Sequence, residues 1–377
     1  MSELYVGLMS GTSMDGIDAA LVEFGGIDSP QKVRLVSDHS HAIPPKLKEK
    51  LRLLSADAPA ASIDMLGETD TELGLVFADA VNTLLKLSGI KAEQITAIGS
   101  HGQTIRHQPR LKNSFSMQIG DANRISYNTG VTTVTDFRRK DMAAGGEGAP
   151  LAPAFHQQVF HSPDENRAVL NIGGIANLTF LPSDKPQNCS GFDTGPGNTL
   201  MDAWIHKHRN SSFDKNGIWA ASTNADTGLV QQMMQDVFIC APPPKSTGFE
   251  HYNLAWLDRQ LTHFEHLSAE QVQASLCQFT CESIVYAIER NLAKISTLIV
   301  CGGGVHNTHL MKLLAEQLKN SDVKVESSEA SGVAPDWVEA IAFAWLARQT
   351  IHGLAGNIPA VTGASQTVVS GAIYPAP

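Results

Sequence analysis

The chain lacks the features that mark several common protein classes. It contains no uninterrupted apolar run of about 18 residues, so we expect no transmembrane helix and no membrane partner. Its first residues have no basic segment before an apolar one, so we expect no signal peptide. Only 18% of its 377 residues are charged and the formal net charge is −10, which argues against a nucleic-acid-binding surface. The apolar content of 42% predicts a folded protein with a sizeable core.

Cysteine is scarce, and familiar catalytic motifs are missing. The five cysteines include no C-x-x-C pair, and we interpret them as reduced thiols of a cytoplasmic protein. The sequence has no G-x-x-x-x-G-K-[ST], no G-x-G-x-x-G after a strand, no H-E-x-x-H and no G-x-S-x-G. Two H-x-x-H pairs, at 263/266 and 306/309, lack a third ligand in sequence reach, so we interpret them as surface or core histidines.

The apolar pattern predicts an α/β protein with weak internal duplication. Apolar runs at 4–9 and 17–24 flank a Gly/Ser/Thr-rich loop, and a similar strand, glycine turn and strand recur at 168–181. Elsewhere helices alternate with strands, as in α/β folds. We predict helices near 45–56, 63–88, 196–208, 254–264, 269–293, 306–319 and 336–352, and strands near 95–99, 131–135, 297–301 and 323–326.

Glycine-rich turns at 10–16, 145–148, 191–198 and 301–304 are candidate phosphate loops. Glycine lets the backbone approach a ligand, and exposed amides then bind anionic oxygens. One such loop is usually only a tight turn, but three beside predicted strands or helices indicate a polyphosphate site. The predicted nucleotide contacts are Gly11, Thr12, Ser13, Met14, Asp15, Gly16, Ile17, Asp18, Gly173, Gly195, Gly197, Asn198, Gly302, Gly303 and Gly304.

The order of these and other motifs resembles the anhydro-N-acetylmuramic acid kinase family. The resemblance extends over nearly the whole chain and rests on GLMSGTSMDGID (7–18), GSHGQT (99–104), QIGD (118–121), DFRRKD (136–141), GEGAPL (146–151), NIGGIAN (171–177), GFDTGPGN (191–198), CGGG (301–304) and VTGASQ (361–366). It implies a two-lobed actin-like ATPase (ribonuclease H-like) fold, each lobe a mixed five-stranded sheet with helices. The expected lobes are 1–134 plus about 362–377, and 135–361, with ATP and sugar in the cleft between them.

The resemblance also implies a reaction. ATP and Mg²⁺ serve as cofactors, water opens the 1,6-anhydro bridge of a small amino sugar, and O6 takes the γ-phosphate. The expected setting is peptidoglycan recycling in the cytoplasm, and a homodimer is expected by analogy. One departure matters: many proteins of this wider fold carry an aspartate just before the first loop, whereas Gly7 to Ser10 include no acid here. The metal ligands are therefore not assigned.

Each candidate side chain has a structural alternative. The resemblance implies that Asp193 is the general base and that Glu339 has a second catalytic role. However, Asp193 is also typical of an Asx turn, and Glu339 of a capping pair with Asp336. The charged run 136–139 is also typical of a solvated edge, and His101 of packing. The predicted sugar contacts are His101, Gln103, Gln118, Asp136, Arg138 and Glu147.

Three other functions stay open at this point. The first is a sugar or acetate kinase of the same fold with an ordinary hydroxyl acceptor. The second is a non-catalytic ATP-binding module, which would need a partner-binding appendage that the sequence does not reveal. The third is a metal-dependent relative using paired histidines, which the absence of H-x-x-x-H disfavours. Turnover of an anhydro sugar but not of a simple hexose discriminates the main hypothesis from the first alternative.

Overall fold

The computed structural model describes residues 2–11, 14, 16–26, 32–56 and 61–377, and the chain divides into two compact units. Unit 1 comprises Met1–Val159 and Trp337–Pro377, and unit 2 comprises Phe160–Asp336. In the described residues the strands are β1 Glu3–Met9, β2 Ile17–Phe24, β3 Val33–His41, β4 Ile95–Ser100, β5 Gln103–Gln108, β6 Phe115–Ile119, β7 Thr133–Thr135, β8 Arg167–Ile172, β9 Ile175–Leu181, β10 Ser190–Pro196, β11 Thr297–Cys301, β12 Lys324–Ser327 and β13 Ala372–Tyr374.

The α-helices of the same residues connect and cover these strands. They are α1 Pro45–Ser55, α2 Ile63–Ser88, α3 Ala122–Thr129, α4 Arg139–Ala143, α5 Ala152–Phe160, α6 Thr199–Arg209, α7 Thr227–Met234, α8 Val237–Cys240, α9 Leu254–Gln260, α10 Ala269–Asn291, α11 Thr308–Leu318, α12 Val338–Ile351 and α13 Pro359–Thr362.

Helix α2 illustrates how local sequence sets an element. The Ser62 side chain accepts a hydrogen bond from the amide of Met65 at the N-terminus, and Gly89 ends the helix in the left-handed region with φ 71°. Leu73, Phe77 and other apolar residues recur at helical spacing and are fully buried. The sequence therefore predicts both ends of this helix.

The sheets of the two units share one strand order. In unit 1 the order is β13-β7-β4-β1-β2-β3, and in unit 2 it is β10-β9-β8-β11-β12. In each unit the first three strands are antiparallel neighbours, and the next two continue the sheet in parallel from the first strand. This repetition confirms the predicted duplication and the two-part, ribonuclease H-like α/β fold class.

Unit 1 differs from the expected five-stranded sheet by one strand. The C-terminal strand β13 pairs antiparallel with β7 and extends the sheet to six strands in the described residues. The hairpin of β5 and β6 forms a separate two-stranded sheet. The chain end thus returns to unit 1, which agrees with the predicted return of the tail.

The division between the units also lies elsewhere than the sequence indicated. Segments 135–159 and 337–361, expected in the second lobe, belong to unit 1. The main reason is α12, which packs on β1 and β4. Its residues are almost all buried, so its own pattern does not indicate which sheet it covers.

The contact between α12 and the sheet depends on two glycines. A Cβ atom at Gly7 would overlap the carbonyl oxygen of Ala340, and one at Gly99 would overlap that of Phe343. Both obstacles are helix backbone, which cannot rotate away. Glycine at these two strand positions therefore lets α12 lie against β1 and β4 at backbone contact distance.

A buried carboxylate joins the C-terminal segment to the middle of unit 1. Asp141 is fully buried and accepts hydrogen bonds from the Gly148 amide (2.8 Å), the Asn357 side-chain amide (2.7 Å) and the Thr362 hydroxyl (2.7 Å). The Glu147 amide also donates to the Thr362 carbonyl at 2.7 Å. These bonds fix the loop that contains Glu147 and Gly148.

Substitution of Gly7 tests the packing of α12. We expect Gly7→Ala to lower the free energy of unfolding by about 3 kcal/mol or more, because the new methyl group meets backbone atoms. The matched control is Gly67→Ala in α2, where an added Cβ meets nothing within 4 Å. That change should raise stability by about 0.5–1 kcal/mol. Urea unfolding measures both, and equal stability of the two variants would contradict the packing account.

Candidate active site

In unit 1, the described part of the glycine-rich loop after β1 is tied to Gln103, the first residue of β5. Ser10 is fully buried, and its hydroxyl donates to the Gln103 side-chain oxygen at 2.6 Å. The Gln103 side-chain amide donates to the Gly11 carbonyl at 3.2 Å. Gln103, a predicted sugar contact, is itself fully buried. Its side-chain amide therefore holds the loop in place through these two hydrogen bonds.

Three of the predicted nucleotide contacts in this loop, Thr12, Ser13 and Asp15, lie outside the described residues. Met14 is buried with φ 55°, and its amide donates to the Gly11 carbonyl at 3.1 Å. Gly16 and Ile17 lead into β2, and the Asp18 carboxylate accepts a hydrogen bond from the Ser40 hydroxyl at 2.7 Å. A backbone hydrogen bond therefore joins two of the described loop residues, and a side-chain hydrogen bond joins β2 to β3 just after the loop.

His101 and Arg138, both predicted sugar contacts, lie in direct contact. The imidazole Nε2 is 2.8 Å from a terminal nitrogen of Arg138, and the other terminal nitrogen of Arg138 donates to the Gly148 carbonyl at 2.9 Å. Burial and then the neighbouring Arg138 charge lower the pKa of His101 to about 3. Burial lowers the pKa of Arg138 to about 10, which still leaves it charged at neutral pH.

Glu339 does not form the capping pair that the sequence also allowed. Helix α12 begins at Val338, and no side chain caps it. Asp336 instead lies 2.8 Å from Nε2 of His306. The Glu339 side chain is exposed, yet desolvation by the surrounding protein and then the charge of Asp18 raise its pKa, while Arg138 opposes them.

The remaining predicted sugar contacts, Gln118, Asp136 and Glu147, have surroundings of their own. Gln118 and Asp136 line a polar cavity of about 290 Å³ together with Asp70 and Arg139. Asp136 forms an ion pair with Arg139 at 2.6 Å and has a left-handed backbone with φ 60°. The exposed Glu147 faces Arg110 across 3.4 Å.

In unit 2, Asp193 occupies a strand rather than the predicted glycine-rich turn. It lies in β10, pairs with Asn177 of β9, and precedes a register shift at Gly195. The Ser246 hydroxyl and the Thr247 amide both donate to its Oδ2, each at 2.9 Å. A bulge of this kind re-aims side chains and is frequent beside active sites. Burial raises the pKa of Asp193, although the two hydrogen bonds oppose the shift.

The segment that holds Asp193, residues 245–247, was not identified from the sequence. Lys245 is only 9% exposed, and its ammonium group donates to the carbonyls of Phe238 and Ile239, each at 2.9 Å. The Lys245 carbonyl accepts the Asp193 amide at 3.1 Å. A buried cation thus anchors the segment whose next two residues bind the Asp193 carboxylate, and no local pattern signals a contact across about 50 residues.

The glycine turns of unit 2 are largely bonded to one another. The amides of Gly197 and Asn198 donate to the carbonyls of Gly174 and Gly173, each at 2.8 Å, so these amides are not free donors. Gly195 is buried within β10. By contrast, Gly303 is exposed, and a Cβ atom there would meet nothing within 4 Å. Its backbone is therefore open to a ligand.

Gly302 and Gly304 flank this open position and support it. Gly302 has φ 78°, and its amide donates to the Pro335 carbonyl at 2.9 Å. A Cβ atom at Gly304 would overlap the side chain of Ile172 at the end of β8. Glycine is thus required at Gly302 for its backbone conformation and at Gly304 for close packing.

The described residues contain neither a metal-binding cluster nor a membrane-spanning helix. In the described ranges, no cluster of three or more His, Cys, Asp and Glu side chains is arranged to hold a metal ion. None of the helices there has both the length and the apolar character needed to cross a bilayer.

Comparison with solved structures gives only distant similarity. The activator of 2-hydroxyisocaproyl-CoA dehydratase from Clostridium difficile with bound ADPNP is 11% identical with a TM-score of 0.45, covering 91% of this chain and 93% of that one. A ROK family glucokinase from Streptomyces griseus, in complex with glucose and AMPPNP, is 12% identical with a TM-score of 0.39, covering 92% and 99%.

Comparison with protein sequences is far closer. The anhydro-N-acetylmuramic acid kinase of Shewanella denitrificans is 50% identical over 374 residues, 99% of each chain. That of Shewanella sediminis is 49% identical over 372 residues, covering 99% of this chain and 98% of its own, and that of Coxiella burnetii is 47% identical with 99% and 97% coverage. The family profile matches residues 3–376. The chain therefore belongs to the anhydro-N-acetylmuramic acid kinase family.

Proposed function

We propose that the protein is an ATP-dependent kinase that hydrolytically opens 1,6-anhydro-N-acetylmuramic acid and phosphorylates O6. One water and one ATP are consumed, and N-acetylmuramic acid 6-phosphate and ADP are formed. The observation that carries the proposal is the environment of Asp193, together with membership of the family. One carboxylate oxygen of Asp193 is held by two donors, and its other oxygen has no hydrogen-bond partner among the described residues.

Asp193 acts as the general base in this proposal. The bonds from Ser246 and Thr247 fix the carboxylate plane, so that Oδ1 can take a proton from water as the water attacks the anomeric carbon. The C1–O6 bond breaks, and O6 attacks the γ-phosphorus of ATP. Burial raises the pKa of Asp193, which makes the carboxylate a stronger base at neutral pH.

Arg138 binds the lactyl carboxylate of the sugar in this proposal. Its charged guanidinium matches a carboxylate in shape and charge, and its Nε atom is buried without a partner among the described residues. Gln118, Asp136 and Glu147 remain candidate contacts to the polar groups of the sugar. Gln103 supports the loop after β1, because its side-chain atoms already bond to Ser10 and Gly11.

The glycine-rich loops are the candidate ATP contacts in this proposal. The candidate contacts in unit 1 are residues 11–18, and in unit 2 the exposed Gly303 and the partly exposed Gly173 are favoured because space is open beside them. The amides of Gly197 and Asn198 serve the turn itself, so these residues, like Gly195, Gly302 and Gly304, contribute by shaping the surface.

Two carboxylates near the first loop, Asp18 and Glu339, are candidates for holding a magnesium ion in this proposal. Asp18 and Glu339 are close enough that the Asp18 charge raises the Glu339 pKa, so a divalent cation would relieve their repulsion. Magnesium is usually held by one or two carboxylates together with phosphates and water. We therefore propose Asp18 and Glu339 as its protein ligands. When bound, Mg²⁺ neutralises charge on the phosphoryl oxygens.

The wider biological setting follows from the family resemblance. We propose a cytoplasmic role in recycling amino sugars from peptidoglycan, because the substrate is a cell-wall fragment that must be converted into a phosphorylated sugar. We also propose a homodimer by analogy with the family.

Replacement of Asp193 tests the proposed base. With ATP, Mg²⁺ and 1,6-anhydro-N-acetylmuramic acid, we expect Asp193→Asn to lower kcat about 10²–10⁴-fold, because the amide cannot accept the proton. ADP release measures the rate, and calorimetry should find ATP binding unchanged. The matched control is the exposed Asp164→Asn, expected to be fully active. Full activity of Asp193→Asn would contradict its role as the base. Wild-type turnover of glucose but not of the anhydro sugar would contradict the proposed reaction.

Ser246→Ala tests how the pKa of Asp193 is set. The Ser246 hydrogen bond lowers that pKa, so its loss should raise it. Because the base must be ionised, activity is present above its pKa and lost as the pH falls through it. The acid limb of kcat/KM should therefore move to higher pH in the variant. An acid limb that stays in place, or moves as much in the exposed control Ser211→Ala, would be inconsistent with this role.

A further inference from the structure

His101 is a predicted sugar contact, yet its surroundings restrict what its side chain can do. It follows β4 directly, and its amide donates to the Leu8 carbonyl at 3.0 Å. The side chain is 6% exposed, and its ring centroid lies 4.7 Å from that of Phe343 on α12. The imidazole is therefore enclosed between the sheet and the helix.

The two contacts of the ring define one tautomer. Nδ1 lies 3.3 Å from the Ser10 carbonyl oxygen, which can only accept, so Nδ1 carries the hydrogen. Nε2 lies 2.8 Å from a terminal nitrogen of Arg138, and a guanidinium can only donate. Nε2 therefore accepts with its lone pair. A proton added at Nε2 would face an Arg138 N–H group and place two cations in contact.

Other charged groups near the ring do not change this conclusion. Arg138 is the charged group that contacts the imidazole, and Glu339 on α12 acts on Arg138. His107 of β5 is itself kept neutral by burial and by Arg138, which lower its pKa. Among the described residues, no carboxylate forms a hydrogen bond or ion pair with His101 that would stabilise an imidazolium. The low pKa of His101 agrees with this geometry.

Arg138 is held at two points by separate parts of the chain. His101 accepts from one terminal nitrogen and the Gly148 carbonyl from the other. Gly148 is in turn fixed by the buried Asp141. Two anchors set the plane of the guanidinium before any ligand arrives, so less side-chain entropy is lost when a carboxylate binds.

We infer that His101 is a positioning residue, a neutral Nδ1–H imidazole that orients Arg138 for the sugar carboxylate and takes no part in proton transfer. The inference rests on the proposed function for the identity of that carboxylate. It assigns to His101 a contribution to sugar affinity that acts through Arg138. It also excludes His101 as the acid or base of the reaction.

Two variants of similar size separate these roles kinetically. His101→Gln places a side-chain oxygen where Nε2 accepts, whereas His101→Asn is too short to reach Arg138. We expect His101→Asn to raise KM for 1,6-anhydro-N-acetylmuramic acid about tenfold or more, with kcat within about threefold and KM for ATP unchanged. His101→Gln should recover most of the sugar affinity. The control His39→Asn, on β3, should leave all constants unchanged.

The pH profile provides a second readout. We expect His101→Gln to keep the acid limb of kcat/KM where the wild type has it, because that limb belongs to another group. A loss of kcat of about 100-fold or more in both variants, with the limb removed, would overturn the inference and make His101 an acid or base. Thermal unfolding of each variant identifies any that does not fold.

A spectroscopic test does not depend on activity. In uniformly ¹⁵N-histidine-labelled protein, with the His101 signals identified by their loss in His101→Gln, we expect the Nδ1–H tautomer without titration between pH 8 and pH 5. An Nε2–H tautomer, or titration near pH 6–7, would overturn the inference. If the wild type fails to phosphorylate the anhydro sugar, the proposed function fails, while this measurement still decides the state of His101.

Discussion

The backbone contact between α12 and the first sheet is the constraint on which unit 1 depends. Glycine at Gly7 and Gly99 allows the helix to approach β1 and β4 without intervening side chains. That approach puts Phe343 against the His101 ring and Glu339 near Asp18 and Arg138. A wider separation would leave His101 unpacked and would weaken the electrostatic coupling between Glu339 and its neighbours. The packing of α12 and the surroundings of His101 thus depend on the same two glycines.

In each unit, a candidate site residue is held by hydrogen bonding with a segment that a buried charged residue anchors. In unit 2, Lys245 anchors the segment whose Ser246 and Thr247 hold one oxygen of Asp193. In unit 1, Asp141 fixes Gly148, which with His101 holds Arg138. Each reactive or binding group therefore has some of its hydrogen-bonding atoms committed to the protein and others left free. Side chains held in this way are already oriented before a ligand binds, which is typical of preorganised sites.

Local sequence signals predicted much of the fold. The strands at 17–24 and 297–301 and the helix at 63–88 have the predicted bounds, because apolar periodicity and caps set them. Strand β10 was interpreted as a turn, since its glycines and proline disfavour a strand, but pairing with β9 overrides that preference. The almost entirely buried α12 gave no indication of which sheet it covers, because assignment of a helix to a unit depends on tertiary contacts.

For the candidate site, the motifs identified the principal side chains but not their supports. The motif containing Asp193 was recognised from the family resemblance, whereas Ser246 and Thr247 are more than 50 residues away in sequence and no pattern connects them to it. His101 and Arg138 were both chosen as sugar contacts, and only the structure distinguishes the buried histidine from the arginine it holds. Spacing alone cannot reveal such relations, because they arise from folding of distant segments.

The central claim is that phosphorylation of the sugar is coupled to hydrolytic opening of its anhydro ring, and the mass of the product tests it most directly. After reaction of 1,6-anhydro-N-acetylmuramic acid with ATP and Mg²⁺, the account predicts a sugar heavier by one phosphoryl group and one water. Phosphorus–proton coupling should place the phosphate on O6. A product heavier by a phosphoryl group alone, with the anhydro ring intact, would contradict the account.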